Sequence, residues 1–152
     1  MALLELLPPH TPRAWRAMLE LRPHIGDAAA FAEHVDTVQR PEGYRLLAAF
    51  EHDADDDAVA VAGFRIVHHL AWGRSLYVDD LSTLPEARGR GHAGALLDEL
   101  IAEAERLRCD ELHLDSGVGS ARWAAHRLYM NHGLTIVSHH FARPVAGAHE
   151  SP

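Results

Sequence analysis

The chain is short of cysteine. Cys109 is the only one in 152 residues. No intrachain disulfide can form, and no cysteine cluster can hold zinc. A lone thiol fits a reducing, cytoplasmic setting. Long apolar runs are missing as well. None reaches the roughly 18 residues that span a bilayer, so no membrane association is expected. The segment Met1–Leu7 has no basic stretch and carries Glu5 among its apolar residues. It reads as a buried first strand rather than a signal peptide. Basic residues are outnumbered, 14 against 22 acidic, for a formal net charge of −8. A field of that sign disfavours nucleic acid and favours a cationic partner such as an amine.

Several motifs are absent too. There is no Gly-Lys-Ser/Thr of a nucleotide loop, no G-x-G-x-x-G directly after a first strand and no HExxH zinc pattern. Thirteen histidines invite a metal hypothesis. However, His68-His69 and His139-His140 are neighbours in predicted strands, so their rings face opposite sides. No metal site is expected. The run His52-Asp53-Ala54-Asp55-Asp56-Asp57 lacks the spacing of a calcium loop and reads as a solvated hairpin tip.

What is present suffices for one domain. Hydrophobic residues make up 47% of the chain, enough for a core. We expect a single domain over 1–143 and a tail, 144–152, that is frayed or docks a partner. Strand character covers Ala2–Leu7. A helix capped by Thr11 follows, ending at Pro23, and a second spans Asp27–Gln39 with Phe31, His34, Val35 and Val38 on one face. Strands are predicted over Tyr44–Glu51, Ala58–His68 and Arg74–Thr83. A long amphipathic helix covers Gly91–Arg108, a short strand Asp110–Ser116, a helix Ser120–Asn131 and a last strand Thr135–Arg143. The order β α α β β β α β α β implies an α/β fold of the α+β kind: a mixed sheet with helices on both faces.

The segment with the clearest chemistry runs from Leu84 to Leu97. A strand enters, the loop Arg88-Gly89-Arg90-Gly91-His92-Ala93-Gly94 turns, and a long helix leaves. Unpaired N–H groups and the dipole at a helix start form an anion site. Gly89 and Gly91 allow close approach of a diphosphate, and Arg88 and Arg90 add positive charge.

These residues resemble the GCN5-related N-acetyltransferase family. Its pyrophosphate motif, Arg/Gln-x-x-Gly-x-Gly/Ala, is filled by Arg88, Gly91 and Ala93. A second motif of that family, Ala-x-x-Phe/Leu-Tyr-x-x-x-Gly-Phe, matches Ala125 to Leu134, with Leu134 for the phenylalanine. The match extends over about Tyr44 to Phe141. Arg122 departs from it, standing seven residues before Tyr129 where an asparagine is common. The resemblance implies a central, mostly antiparallel mixed sheet. It also implies acetyl-CoA as co-substrate, with direct attack by an amine in a ternary complex and no metal. The backbone of Leu81, Ser82 and Thr83 would hold the acyl-pantetheine, and Arg88, Gly89, Arg90, Gly91, His92, Ala93 and Gly94 the pyrophosphate. Tyr129 would be the acid for the leaving thiolate. Asp79 and Asp80 match an acidic pair found in amine-specific members, with Asp79 favoured as the ammonium partner. Alternation puts Asp79 on one side with Leu81 and Thr83, and Asp80 on the other with Ser82. An arginine partner is the structural alternative for the pair. His113, Asp115 and His140 are further acceptor-side candidates. The expected acceptor is a small-molecule amine or an exposed amino group, and a homodimer is possible. A non-catalytic acyl-CoA sensor on the same fold is the rival reading.

Overall fold

A computed structural model describes residues 1–147 of the chain. Its centre is a five-stranded sheet in the order β1-β2-β3-β4-β5. The strands are β1 (Ala2–Glu5), β2 (Arg45–Phe50), β3 (Ala60–His69), β4 (Gly73–Thr83) and β5 (Glu111–Leu114). The first four pair antiparallel, and β5 joins β4 in parallel. That parallel step is possible because a long helix crosses between the two strands.

Strand alternation divides the core in two. On one face of β2, Leu46, Ala48 and Phe50 pack with Val61 of β3 against α1 (Trp15–Leu21) and α2 (Ala28–His34). On the other, Leu47 and Ala49 pack with Phe64, Leu76 and Val78 against Leu96 and Leu100 of α3 (His92–Arg106). The predicted mixed sheet with helices on both faces is therefore present.

Two predicted elements differ. The helix expected over Asp27–Gln39 begins as predicted, with the Asp27 carboxylate accepting from the Ala30 N–H at 2.8 Å. After His34 it widens into a π turn, Val35–Gln39. The wider turn changes the phase of the face. Phe31 and Val35 are buried, but Val38 turns outward. The strand expected over Thr135–Arg143 does not form. After α4 (Trp123–Asn131) and its closing turn, residues 135–147 run exposed. A strand needs a hydrogen-bonded neighbour, and this segment pairs with none among the described residues. Of the predicted tail, residues 144–147 are exposed and the rest lies outside the described residues.

Candidate active site

The site follows from a mismatch in length. β4 has 11 residues and β5 has 4. They pair only from Ser75↔Glu111 to Val78↔Leu114. Beyond that point Asp79–Thr83 has β3 on one side and, among the described residues, no strand on the other. A cleft of about 230 Å³ opens there. Val78, Asp79, Asp80 and Leu81 form one wall, Asp115 and Ser116 the other, and Tyr129 also lines it.

The acidic pair does not alternate as expected. The β3–β4 register steps from Phe64↔Val78 to Gly63↔Asp80, leaving Asp79 as an extra, bulged residue. A bulge re-aims the side chains beside it. Both Asp79 and Asp80 consequently line the same cleft. Each has an arginine partner. Arg65 grips Asp79 with two hydrogen bonds, 2.8 and 2.9 Å. Arg22 from the end of α1 donates to Asp80 at 2.8 Å and to the Asp79 carbonyl at 3.1 Å. Tyr44 donates its hydroxyl to the second Asp80 oxygen at 2.9 Å. Burial, and then the Asp80 charge, push the Tyr44 phenol well above its ordinary value. Tyr44 fits because it lies against Gly63, where a Cβ would collide with its ring and hydroxyl.

Tyr129 is buried, only 9% exposed, and reaches the cleft from α4. Burial raises its phenol above the ordinary value of 10, and the neighbouring Arg122 guanidinium pulls the other way. Arg122 thus occupies the cleft itself. On the β5 side, Asp115 accepts a hydrogen bond from Tyr77 and lies 3.2 Å from His140 Nδ1. His126 of α4 ties the β5–α4 loop through Ser116 Oγ at 3.1 Å and the Gly117 carbonyl at 2.9 Å. His113 is not in the cleft. It stacks on Trp72 with centroids 3.6 Å apart, its Nε2 3.0 Å from Glu111.

The glycine-rich loop lies beyond the Thr83 end of β4. Gly89 and Gly91 have φ of +75° and +87°, a region few other residues enter. A Cβ at either would meet nothing within 4 Å, so both positions border open space. Gly91 precedes the first turn of α3, where His92, Ala93 and Gly94 present unpaired N–H groups. Arg88 is exposed, and its Nε donates to the Thr83 carbonyl at 3.3 Å. The other two charged or titratable groups point elsewhere. Arg90 pairs with Glu51 after β2. The His92 ring is buried, with Nδ1 3.3 Å from the Met1 sulfur. Burial, and then Arg90, hold it below its ordinary value. Gly94 faces α4, where an added Cβ would make ordinary contact with His132 and Leu128.

A second cavity, about 320 Å³, lies between α1, α2 and the sheet. Met18, Ile25, Phe31 and Val35 supply apolar walls, and it shares Arg22 and Asp80 with the cleft. Sequence reasoning missed Arg22, Arg65 and Tyr44 as parts of the site. Their partners lie 58, 14 and 36 residues away, so no local spacing marks them.

A split sheet edge with a glycine-rich loop at the head of a crossing helix is the architecture of the acetyltransferase fold. The chain belongs to the acetyltransferase (GNAT) family, whose model matches residues 10–134. Solved structures agree with the fold. A putative acetyltransferase from Agrobacterium tumefaciens superposes with a TM-score of 0.76 at 22% identity, covering 95% of this chain and 100% of that one. A ribosomal-protein-alanine N-acetyltransferase from Brucella melitensis biovar Abortus gives 0.77 at 18%, covering 95% and 100%. The aminoglycoside N-acetyltransferase AAC(6')-Iy, in complex with CoA, gives 0.74 at 17%, covering 95% and 94%. Among curated protein sequences none matches this chain. No helix among the described residues is long and apolar enough to cross a membrane.

Proposed function

We propose that the protein is an acetyl-CoA-dependent N-acetyltransferase acting on a small-molecule amine. The observation that carries this reading is the cleft between β4 and β5. It brings a free β4 edge, a buried phenol and three carboxylates together. The first-turn N–H groups of α3, the two left-handed glycines and Arg88 would hold the pyrophosphate. Arg90 and the His92 ring contribute through packing at the loop's inner side, and Ala93 and Gly94 through their backbone. The backbone of Leu81, Ser82 and Thr83 on the edge away from β3 would align the pantetheine arm as an added strand would.

Tyr129 protonates the departing thiolate. Its raised pKa keeps the proton available at neutral pH. Asp79 and Asp80 set the negative potential that receives the acceptor ammonium. Asp79 is the better ammonium partner. Its side chain is 23% exposed against 13% for Asp80, and the Arg65 fork leaves a lone pair on each oxygen. Both oxygens of Asp80 are engaged by Arg22 and Tyr44. The apolar cavity beside Asp80 would take a non-polar body on the acceptor.

Free-thiol release from acetyl-CoA across an amine panel tests the reading. Amines with a compact apolar body should be used ahead of polyhydroxylated ones. Turnover favouring the polyhydroxylated set would remove the cavity's role. Tight CoA binding with no turnover on any amine would favour a non-catalytic acyl-CoA sensor.

A further inference from the structure

Two arginines line the cleft between β4 and β5, and their surroundings differ. Arg22 is committed to the Asp80 carboxylate and the Asp79 carbonyl. Arg122 pairs with no carboxylate among the described residues, although it lines the same cleft. It is the N-cap of α4 and closes the short turn Ser120–Arg122, whose backbone is fixed by the Arg122 N–H donating to the Gly119 carbonyl at 3.0 Å. Its stem lies on the β5 side of the cleft, where a Cβ added at Gly117 would be 3.6 Å from Arg122 Cγ. Tyr129 follows seven residues later, and positions seven apart share a helix face.

A phenol that protonates a thiolate works against its own chemistry in this cleft. The thioester C–S bond breaks and its electron pair leaves on sulfur. Tyr129 gives its proton to that sulfur and is left as phenolate. A thiol such as that of cysteine titrates at about 8.5 and a phenol at about 10, so the transfer runs uphill. Burial raises the Tyr129 phenol further. Asp79, Asp80 and Asp115 also line the cleft, and like charges disfavour a new anion. These carboxylates have partners of their own: Arg65 for Asp79, Arg22 and Tyr44 for Asp80, Tyr77 and His140 for Asp115. No charged group of α3 lines the cleft among the described residues. The cation left for the phenolate is Arg122, whose charge opposes the effect of burial on the phenol.

We propose that Arg122 is the positioning cation of Tyr129, its guanidinium stabilising the phenolate formed as the departing thiolate takes the proton. A proton from the acylated nitrogen, passed through solvent, then restores the phenol. The inference rests on the catalytic reading of Tyr129. It gives a role to a residue that departs from the asparagine common at this position.

Tyrosine labelled with 13C at Cζ tests the pairing by NMR on the full chain, with no substrate present. The chain has three tyrosines, Tyr44, Tyr77 and Tyr129. Burial, and then the carboxylates they donate to, push Tyr44 and Tyr77 up. Tyr129, with a cation beside it, should therefore be the first of the three to ionise as pH rises. Arg122→Met keeps an apolar stem and removes the charge. It should move the Tyr129 ionisation to higher pH and leave the other two in place. It should also lower kcat by about tenfold to a hundredfold, with the acetyl-CoA-induced shift in Tm retained. Arg122→Lys keeps the charge and should restore part of both the ionisation and kcat. An unmoved Tyr129 ionisation in Arg122→Met overturns the proposal, and so does a moved ionisation with kcat unchanged. Equal losses of kcat in the Met and Lys variants would mark a purely structural role and overturn it too. A wild type that turns over no amine would sink the catalytic reading of the cleft, a separate failure because the ionisation is read without substrate.

Discussion

Asp79 and Asp80 are adjacent in sequence, yet their surroundings differ. Asp79 is held by one arginine fork, while Asp80 is shared by an arginine and a phenol. Asparagine at either position keeps volume and removes charge. Asp79→Asn should raise the amine KM severalfold or more, with the CoA-induced shift in Tm retained. Asp80→Asn leaves Arg22 without its carboxylate and Tyr44 with a weaker acceptor, so it should lower Tm more than Asp79→Asn does. Steady-state kinetics and thermal melts on both variants check this, and equal amine KM values would remove Asp79 from the acceptor site. Tyr129→Phe deletes the proposed acid and keeps the ring. It should lower kcat by about tenfold to a thousandfold with CoA affinity nearly intact. The sign of the pH effect follows from burial. A phenol raised above 10 stays protonated as pH rises from neutrality, so its loss cannot produce an alkaline limb below about pH 10. An alkaline limb below pH 10 that vanishes in Tyr129→Phe would contradict the assignment. Tyr129 and the aspartates stood out in the sequence through spacing and resemblance. Arg22, Arg65 and Tyr44 did not, because only strand pairing and helix packing bring them to those partners.

The start of α3 and the bulge in β4 do the positioning. In α3, Gly91 and Gly94 invite opposite expectations. Gly91 has a left-handed φ and borders open space, so Gly91→Glu strains the backbone and projects a negative charge into the space proposed for the pyrophosphate. The variant should fold, with a lower Tm and no shift on adding acetyl-CoA. A retained shift in the folded variant would place CoA elsewhere. Gly94 sits inside the helix with room for a methyl group. Gly94→Ala should stabilise by up to about 1 kcal/mol and keep the shift, read from urea denaturation with and without CoA. In β4, the bulged Asp79 lies opposite the step from Gly63 to Phe64 of β3. Gly63→Ala drives a methyl into Tyr44 and should cost about 1–3 kcal/mol while loosening Asp80. Denaturation at unchanged midpoint would show that Tyr44 can move aside freely. The Asp27 cap of α2 and the stop of α1 before Pro23 were readable in the sequence, whereas Thr11 caps nothing and donates instead to Asp36 at 2.7 Å. The bulge was not readable, since a bulge is a property of two paired strands.

Across the whole molecule, the sheet separates two packed layers. Val61 belongs to the layer under α1 and α2, and Leu100 to the layer under α3; both are fully buried. Val61→Ala and Leu100→Ala should cost about 2 and about 3 kcal/mol, with losses that add to within about 0.5 kcal/mol in the double variant. A larger discrepancy in equilibrium unfolding would mean that the layers are coupled through the sheet. The sequence by itself determined the element order as far as α4, the mixed sheet and the glycine-rich turn at the head of α3. Each is set by local signals: strand and helix periodicity, glycines where φ is positive, and a helix start with free N–H groups. Three features required the tertiary structure. The cleft arises because β4 outruns β5, a relation between two strands separated in sequence by the glycine-rich loop and all of α3, which no local window contains. The shared orientation of Asp79 and Asp80 depends on the β3–β4 register. The fate of residues 135–143 depends on which edge is free, because a strand pattern states a capacity to pair and the partner is chosen by what the rest of the fold leaves open.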